Sequence, residues 1–170
     1  MKVLIVIDMQ NDFVTGSLGT KEACSIVPYV KEKVEEYRKQ GNPIIFTRDT
    51  HGEDYLSTLE GKNLPVKHCI HNTMGWEIIK ELNTSDMPIF DKGTFGSIEM
   101  AQYMKSKYPD AEFEFVGVCT DICVISNVLL LKALLPNNQI CVDAKGCAGV
   151  TVESHMNALS AMEACQITIR

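Results

Sequence analysis

The segment Val-Gly-Val-Cys-Thr-Asp-Ile-Cys-Val, Val116 to Val124, sets two thiols at the junction of two hydrophobic patterns. Before it, Phe113, Phe115, Val116 and Val118 read as a buried strand. After it, Ile122, Val124, Ile125, Val128, Leu129, Leu131 and Leu135 recur at helical spacing. A tight turn falls on Cys119 to Asp121, and Cys123 falls in the first helical turn, where unpaired N–H groups and the positive end of the helix dipole stabilise a thiolate. The backbone amides of Cys119 and Cys123 can converge there on the oxygen of a carbonyl attacked by the sulfur, as an oxyanion hole does. A thiol with the ordinary pKa of about 8.5 needs a base to take its proton or a cation to hold the thiolate. Asp8 can be that base and Lys92 that cation. An aspartate free in water is too weak a base for a thiol by roughly four to five pKa units. Burial raises it and Lys92 partly reverses the rise, so the three groups titrate as one set. The plainer alternatives are two cysteines acting as small buried hydrophobes, and an Asp8–Lys92 ion pair that staples strands.

A second group of residues has the chemistry of a metal site. Asp49 and His51 stand two apart at the end of a strand and so point the same way, and His68 with a further loop carboxylate can complete an open site. Singly, Asp49 also reads as a loop cap, and His68 and His71 as surface histidines.

These residues need a scaffold that brings them to one place. Lys2 to Ile7 is an apolar run ending in Asp8, as a central parallel strand with a carboxylate at its C-terminal end would be. The chain continues Met-Gln-Asn-Asp-Phe rather than with a glycine-rich phosphate turn, so a dinucleotide fingerprint is absent. Val27, Val30, Val34 and Tyr37 predict a helix with Pro28 in its first turn and Gly41 at its C-terminal cap. Strands follow at Pro43 to Thr47, Pro88 to Phe90, Gln139 to Val142 and Gln166 to Ile169, the third of these followed by Asp143 and a glycine-bearing turn. Gly52 to Thr73 reads as a long irregular loop, which in a compact domain points to function. Met74 to Leu82 reads as a short helix with Trp76, Ile79 and Leu82 on one side. Ser97 caps a helix that carries Ile98, Ala101 and Met104 at three-residue intervals, and Thr151 caps one with Val152, His155, Leu159 and Met162 inward. The alternation predicts an α/β three-layer sandwich: a mostly parallel six-stranded sheet with helices on both faces. Ligands of such folds collect at the C-terminal strand ends, where Asp8, Asp49, Lys92 and the Cys119 to Cys123 turn all fall.

Composition bounds the rest. The 170 residues suit a single domain, 1–170, and the net charge of -6 with no basic stripe argues against a nucleic-acid partner. The Val3 to Ile7 run is too short for a signal core or a membrane span, so the expectation is a soluble, cytoplasmic protein without a membrane partner. Seven cysteines without secretory context fit reduced thiols. Leu129 to Leu131 with Leu134 and Leu135 exceed one helix face and point to a homo-oligomer, or equally to core.

Taken together, the motifs Ile7 to Phe13 (Ile-Asp-Met-Gln-Asn-Asp-Phe), Thr47 to His51 (Thr-Arg-Asp-Thr-His), His68-Cys69, Asp91-Lys92-Gly93 and Gly117 to Val124 make a chain that resembles the isochorismatase-like cysteine hydrolases, a Rossmann-like family. The similarity spans nearly the whole chain and is strongest to the nicotinamidase (pyrazinamidase) branch. It implies a catalytic triad of Asp8, Lys92 and Cys123, a cis peptide between Val118 and Cys119, and an oxyanion hole at the amides of Cys119 and Cys123. It implies one divalent metal ion, zinc or else iron or manganese, on Asp49, His51 and His68, with Glu60 as fourth ligand and Glu53 or Asp54 as fallbacks. Phe13 resembles the family's ring-packing phenylalanine. Many nicotinamidases carry a tryptophan three residues before the third metal ligand. Pro65 stands there in this chain, with Leu64 or Phe95 to fill the gap. The activity implied is hydrolysis of the small amide nicotinamide to nicotinate and ammonia, within NAD salvage. The alternatives are the same thiol chemistry on another small amide or a ureido or carbamoyl compound, or a non-catalytic binder of the same fold.

Overall fold

A computed structural model describes residues 1–170, and its central strands form where short apolar runs are buried on both faces. In chain order the elements are β1 (Lys2–Ile7), a single turn α1 (Asn11–Val14), α2 (Lys21–Lys39), β2 (Ile44–Asp49), α3 (Leu59–Asn63), β3 (Ile89–Lys92), α4 (Ile98–Lys107), β4 (Glu112–Val118), α5 (Ile125–Leu134), β5 (Ile140–Ala148), α6 (Val152–Ala164) and β6 (Thr168–Ile169). The six strands pair in parallel in the order β3-β2-β1-β4-β5-β6. This is the doubly wound order, and the order in which strands are added reverses between β1 and β4. The expected parallel α/β sandwich is what the chain forms.

Alternate side chains of β1 feed two cores. Val3, Ile5 and Ile7 pack with Met100, Met104, Val128, Leu131 and Met162 from α4, α5 and α6, while Leu4 and Val6 pack with Ile26, Val30 and Val34 of α2. At the switch between β1 and β4, Gly117 has φ +121, and a Cβ there would run into the Ile7 carbonyl, so only glycine lets the strands close. No helix is long and apolar enough to cross a membrane.

Several elements differ from the sequence reading. The helix α2 starts at Lys21, where Thr20 Oγ1 accepts the Ala23 amide at 3.0 Å, so Pro28 lies inside it and not in its first turn. Its polar first turn hid the start. Met74 to Leu82 is a set of turns, not a helix. Trp76, Ile79 and Leu82 are buried as expected, but their segment gives its backbone bonds to the chain after β1: Gln10 Nε2 donates to the Trp76 carbonyl, and the Ile79 amide donates to the Met9 carbonyl. The 52–73 loop contains a 3-10 turn at Tyr55–Ser57 and α3. The fifth strand does not end at Val142. It bulges through Asp143 and Gly146 and resumes pairing at Cys147 opposite Gly117. Ile98 and Val152, the first residues of their helices, face solvent rather than the core.

Candidate active site

The first strand delivers Asp8 at φ 47, an uncommon conformation for a non-glycine residue, and Thr47 on β2 holds it. The Thr47 hydroxyl donates to Asp8 Oδ1 at 2.6 Å and accepts the Asp8 amide at 3.2 Å. Lys92, the last residue of β3, reaches across β2 to place its Nζ 2.6 Å from Asp8 Oδ2, 3.3 Å from Asp49 Oδ1 and 3.4 Å from Cys123 Sγ. Of the two Asp8 oxygens, Oδ1 is held by Thr47 and Oδ2 faces the Lys92 ammonium as an ion pair. Asp8, Lys92 and Cys123 are all buried. The ion pair foreseen as the plain alternative therefore exists, and a sulfur completes it.

The strand-to-helix junction makes a wide π-type turn at Thr120–Val124 before α5 begins, with the Val124 amide reaching back to the Cys119 carbonyl at 3.0 Å. Such turns recur at functional sites. The peptide bond between Val118 and Cys119 is cis. Asn127, one turn into α5, ties this junction down: its Nδ2 donates to the Cys123 and Phe95 carbonyls, and its Oδ1 accepts the Ser97 amide.

Electrostatics set the resting protonation. Burial raises the Asp8 carboxyl above its ordinary range, with Lys92 opposing the rise. Burial also pushes the Cys123 thiol well above its ordinary value, the Asp8 charge adds to this, and Lys92 opposes it. The sequence reading placed Cys123 where a helix terminus stabilises a thiolate; full burial beside an anion works against that and favours the protonated sulfur that Asp8 is placed to deprotonate. Burial works to lower Lys92, but Asp8, Cys123 and Asp49 together hold it above its usual range, so it stays an ammonium. Cys119 is pushed up to about 12, chiefly by burial.

Asp49 belongs to two groups at once. Its Oδ1 faces Lys92, and its Oδ2 lies 2.8 Å from His51 Nε2 and 3.5 Å from His68 Nε2. Glu60 Oε1 completes the set at 3.7 Å and 3.8 Å from the same two nitrogens, and the four ligand atoms lie within 4.8 Å of one another. His68 is buried, not on the surface, whereas His71 is exposed and packs against Trp76. His51 and His68 come together because the His51 amide donates to the Cys69 carbonyl and the His71 amide to the His51 carbonyl. The donor set fits a divalent ion. His51 Nε2 is buried without a hydrogen bond, and His68 Nδ1 bonds the Val66 carbonyl at 2.8 Å, which turns Nε2 toward the carboxylates. The two fallback carboxylates stand apart from this set: Glu53 pairs with Lys67, and Asp54 begins the 3-10 turn.

Between the two groups opens a cavity of about 300 Å³, lined among others by Asp49, His68, Cys119 and Cys123 and by the apolar side chains Phe13, Leu18, Leu64, Phe95, Ile122 and Val150. That volume is at the small end for ligand pockets. A larger depression of about 630 Å³ lies beyond α1, among Asn11, Cys24, Met74 and Glu77, and none of the residues just described reaches it. Pro65 is exposed and lines no part of the smaller cavity.

Four positioning residues escaped the sequence reading as site residues. Thr47 holds Asp8, and Asn127 holds the cysteine turn. Gln10 brackets Asp49, accepting its amide at 2.7 Å and donating to its carbonyl at 2.9 Å. Asp12 Oδ2 accepts the Cys69 amide at 2.8 Å, next to His68. Gln10 and Asp12 stand in the quoted Ile7 to Phe13 motif, and a fully polar pair after a buried strand was the available signal.

Comparison with known proteins agrees with this geometry. The family model for the isochorismatase domain matches residues 2–170. A nicotinamidase of Saccharomyces cerevisiae is 26% identical over 170 aligned residues, covering 73% of this chain and 78% of that protein. A pyrazinamidase of Pyrococcus horikoshii, crystallised in complex with zinc, superposes with a TM-score of 0.85 at 29% identity over 99% of this chain and 98% of that one. A pyrazinamidase/nicotinamidase of Streptococcus mutans superposes with a TM-score of 0.87 at 26% identity over 100% of both chains.

Proposed function

The chain belongs to the isochorismatase domain family, and on that premise we propose that it is a metal-containing cysteine amidohydrolase that converts nicotinamide and water to nicotinate and ammonia. The observation that carries the reading is the position of Lys92 Nζ, in contact with the carboxylate of Asp8, the sulfur of Cys123 and the metal-cluster residue Asp49 beside one small cavity. The yeast nicotinamidase and the two pyrazinamidase structures support the substrate class.

In this mechanism Asp8, made more basic by burial, takes the thiol proton as the Cys123 sulfur attacks the amide carbonyl. The Lys92 ammonium holds the developing negative charge on sulfur, and the amides of Cys119 and Cys123 receive the charge on oxygen. Asp8 returns its proton to the leaving nitrogen, ammonia departs, and the acyl group remains on Cys123 as a thioester. Asp8 then takes a proton from water, whose oxygen attacks the thioester carbonyl, and the thiol is reprotonated as the acid leaves. Phe13, Leu64 and Phe95 pack the ring and limit water. Asp49, His51, Glu60 and His68 would hold a divalent ion, zinc by their donor set with iron or manganese as alternatives, and when bound it would supply Lewis acidity to orient the pyridine ring. The reading assigns the reaction to NAD salvage in the cytoplasm, by one catalytic domain that self-associates, which sedimentation would check.

The test is ammonia release from nicotinamide, pyrazinamide and a set of ureido and carbamoyl amides by the wild-type chain and by Cys123→Ala. Nicotinamide turnover that falls by roughly 10³ or more in the variant is the expected result. Wild-type-like turnover in the variant would remove the nucleophile. A second reading, the same chemistry on a ureido or carbamoyl compound, is favoured by one observation: exposed Pro65 stands where an aromatic wall would be expected, and Leu64 is itself 38% exposed. Silence on nicotinamide with activity on those compounds would select it.

A further inference from the structure

Tyr55 is fully buried in a segment that the reaction above does not use. Its ring lies 4.6 Å from the His51 ring and meets the His68 ring edge-on at 4.9 Å, so it packs against both imidazoles of the metal cluster. A phenylalanine would make those contacts equally well. The hydroxyl does something else: it passes the histidines and donates to the Leu64 carbonyl at 2.9 Å. Leu64 lines the cavity and ends α3, with its own amide bonded to the Glu60 carbonyl at 2.8 Å. Around it, the Thr58 hydroxyl bonds the Tyr55 carbonyl at 2.7 Å, and Gly61 packs so closely on that carbonyl that a Cβ would collide with it. The Leu64 carbonyl otherwise accepts only the nearby Val66 amide, and Pro65 between them offers no N–H. Two bonds therefore hold this wall of the pocket: the Leu64 amide to Glu60 within α3, and the phenol oxygen, which is the side-chain tie from the aromatic ring packed on the two histidines.

We infer that Tyr55 is a positioning and specificity-determining residue, whose hydroxyl holds Leu64 against the ring of the substrate at a fixed distance from the metal-binding histidines. Its ring orients the ligands, and its oxygen sets the width of the pocket. This rests on the amidohydrolase reading for its substrate, a planar cyclic amide, and on the geometry alone for the tether. Losing the hydroxyl frees the wall without disturbing the cluster. Binding of a flat ring then weakens, while the attack at Cys123, which Tyr55 does not hold, is unchanged.

The experiment compares the metal-loaded wild-type chain with Tyr55→Phe. The tether predicts an unchanged metal content, KM for nicotinamide and Kd for nicotinate by calorimetry both raised roughly 3- to 10-fold, as loss of one hydrogen bond allows, and kcat within twofold. Amide hydrogen exchange across residues 62–66 quickens in the variant. Equal nicotinate affinity and equal exchange in the two proteins would overturn the inference, as would a parallel fall of kcat and metal content, which marks a merely structural residue. Calorimetry and exchange need no turnover, so a wild-type chain that binds nicotinate but releases no ammonia contradicts the proposed reaction and leaves the Tyr55 arm decisive. A wild-type chain that binds no such ring overturns the inference itself.

Discussion

Asp8 meets two neighbours that favour its anion and a burial that opposes it, and its reactivity depends on the balance. The Thr47 hydroxyl and the Lys92 ammonium hold it as an anion, and burial works against them. Thr47→Val removes a hydrogen bond from Oδ1 and from the backbone amide while keeping the volume. Steady-state kinetics should show kcat reduced about tenfold, the equivalent of one hydrogen bond to a charged group, with metal content unchanged. No change in kcat would mean that Asp8 is held by the ion pair alone. Cys119 offers the converse case, because its thiol is pushed up by burial and the proposed mechanism uses only its backbone amide. Cys119→Ala should therefore retain kcat within about twofold, against complete loss in Cys123→Ala. Loss of activity in both would show that the Cys119 sulfur takes part.

Packing between α2 and the sheet contains a buried polar cluster away from the site. Lys33 lies between Glu114 and Asp143, the Tyr37 hydroxyl donates to Glu114, and Tyr29 donates to Asp143. Burial acts to lower Lys33, but the two carboxylates carry it above its ordinary 10.5, and burial with Glu114 carries Tyr37 above its ordinary 10.0. Both groups keep their protons longer folded than unfolded. Their stabilisation is therefore complete below about pH 10 and is lost as pH rises further. Urea unfolding across pH 7 to 11 should show a plateau and then a fall, and Glu114→Gln should lower the plateau by about 2 kcal/mol and make the fall shallower. A stability that rises above pH 10 would contradict the assignment. Legibility in the sequence follows the same physics. Val3 to Ile7 was readable as a central strand because both faces are buried. The Thr20 start of α2 was not, because a polar first turn has no periodicity. The 74–82 segment misled because burial at every third residue was achieved by Gln10 and Met9 taking up the backbone bonds. At the site, chemical type announced Asp8, Asp49, Lys92 and Cys123. Thr47, Gln10, Asn127 and Tyr55 act by holding other atoms, and such a role has no signature until the strands are set side by side.

At the scale of the molecule, the doubly wound order decides that one rim carries everything. β1, β2, β3 and β4 end in Ile7, Asp49, Lys92 and Val118, so the acid, the cluster, the ammonium and the sulfur turn meet where the strand order reverses. The metal cluster also joins the 51–71 segment to that rim, and a bound ion stabilises the whole chain by mass action. Dialysis against a chelator should abolish amide hydrolysis and lower Tm by roughly 5–10 °C relative to protein holding the ion at a hundredfold excess over Kd. An unchanged Tm and full activity would remove the ion from the account. The central claim, that the sulfur of Cys123 carries the acyl group, is tested most directly by acid-quenching the metal-loaded enzyme during nicotinamide turnover and mapping modified peptides by mass spectrometry. The account predicts a nicotinoyl thioester on the peptide containing Cys123, absent in Cys123→Ala. Turnover with no acyl group on that peptide, or with the group on another residue, would contradict it.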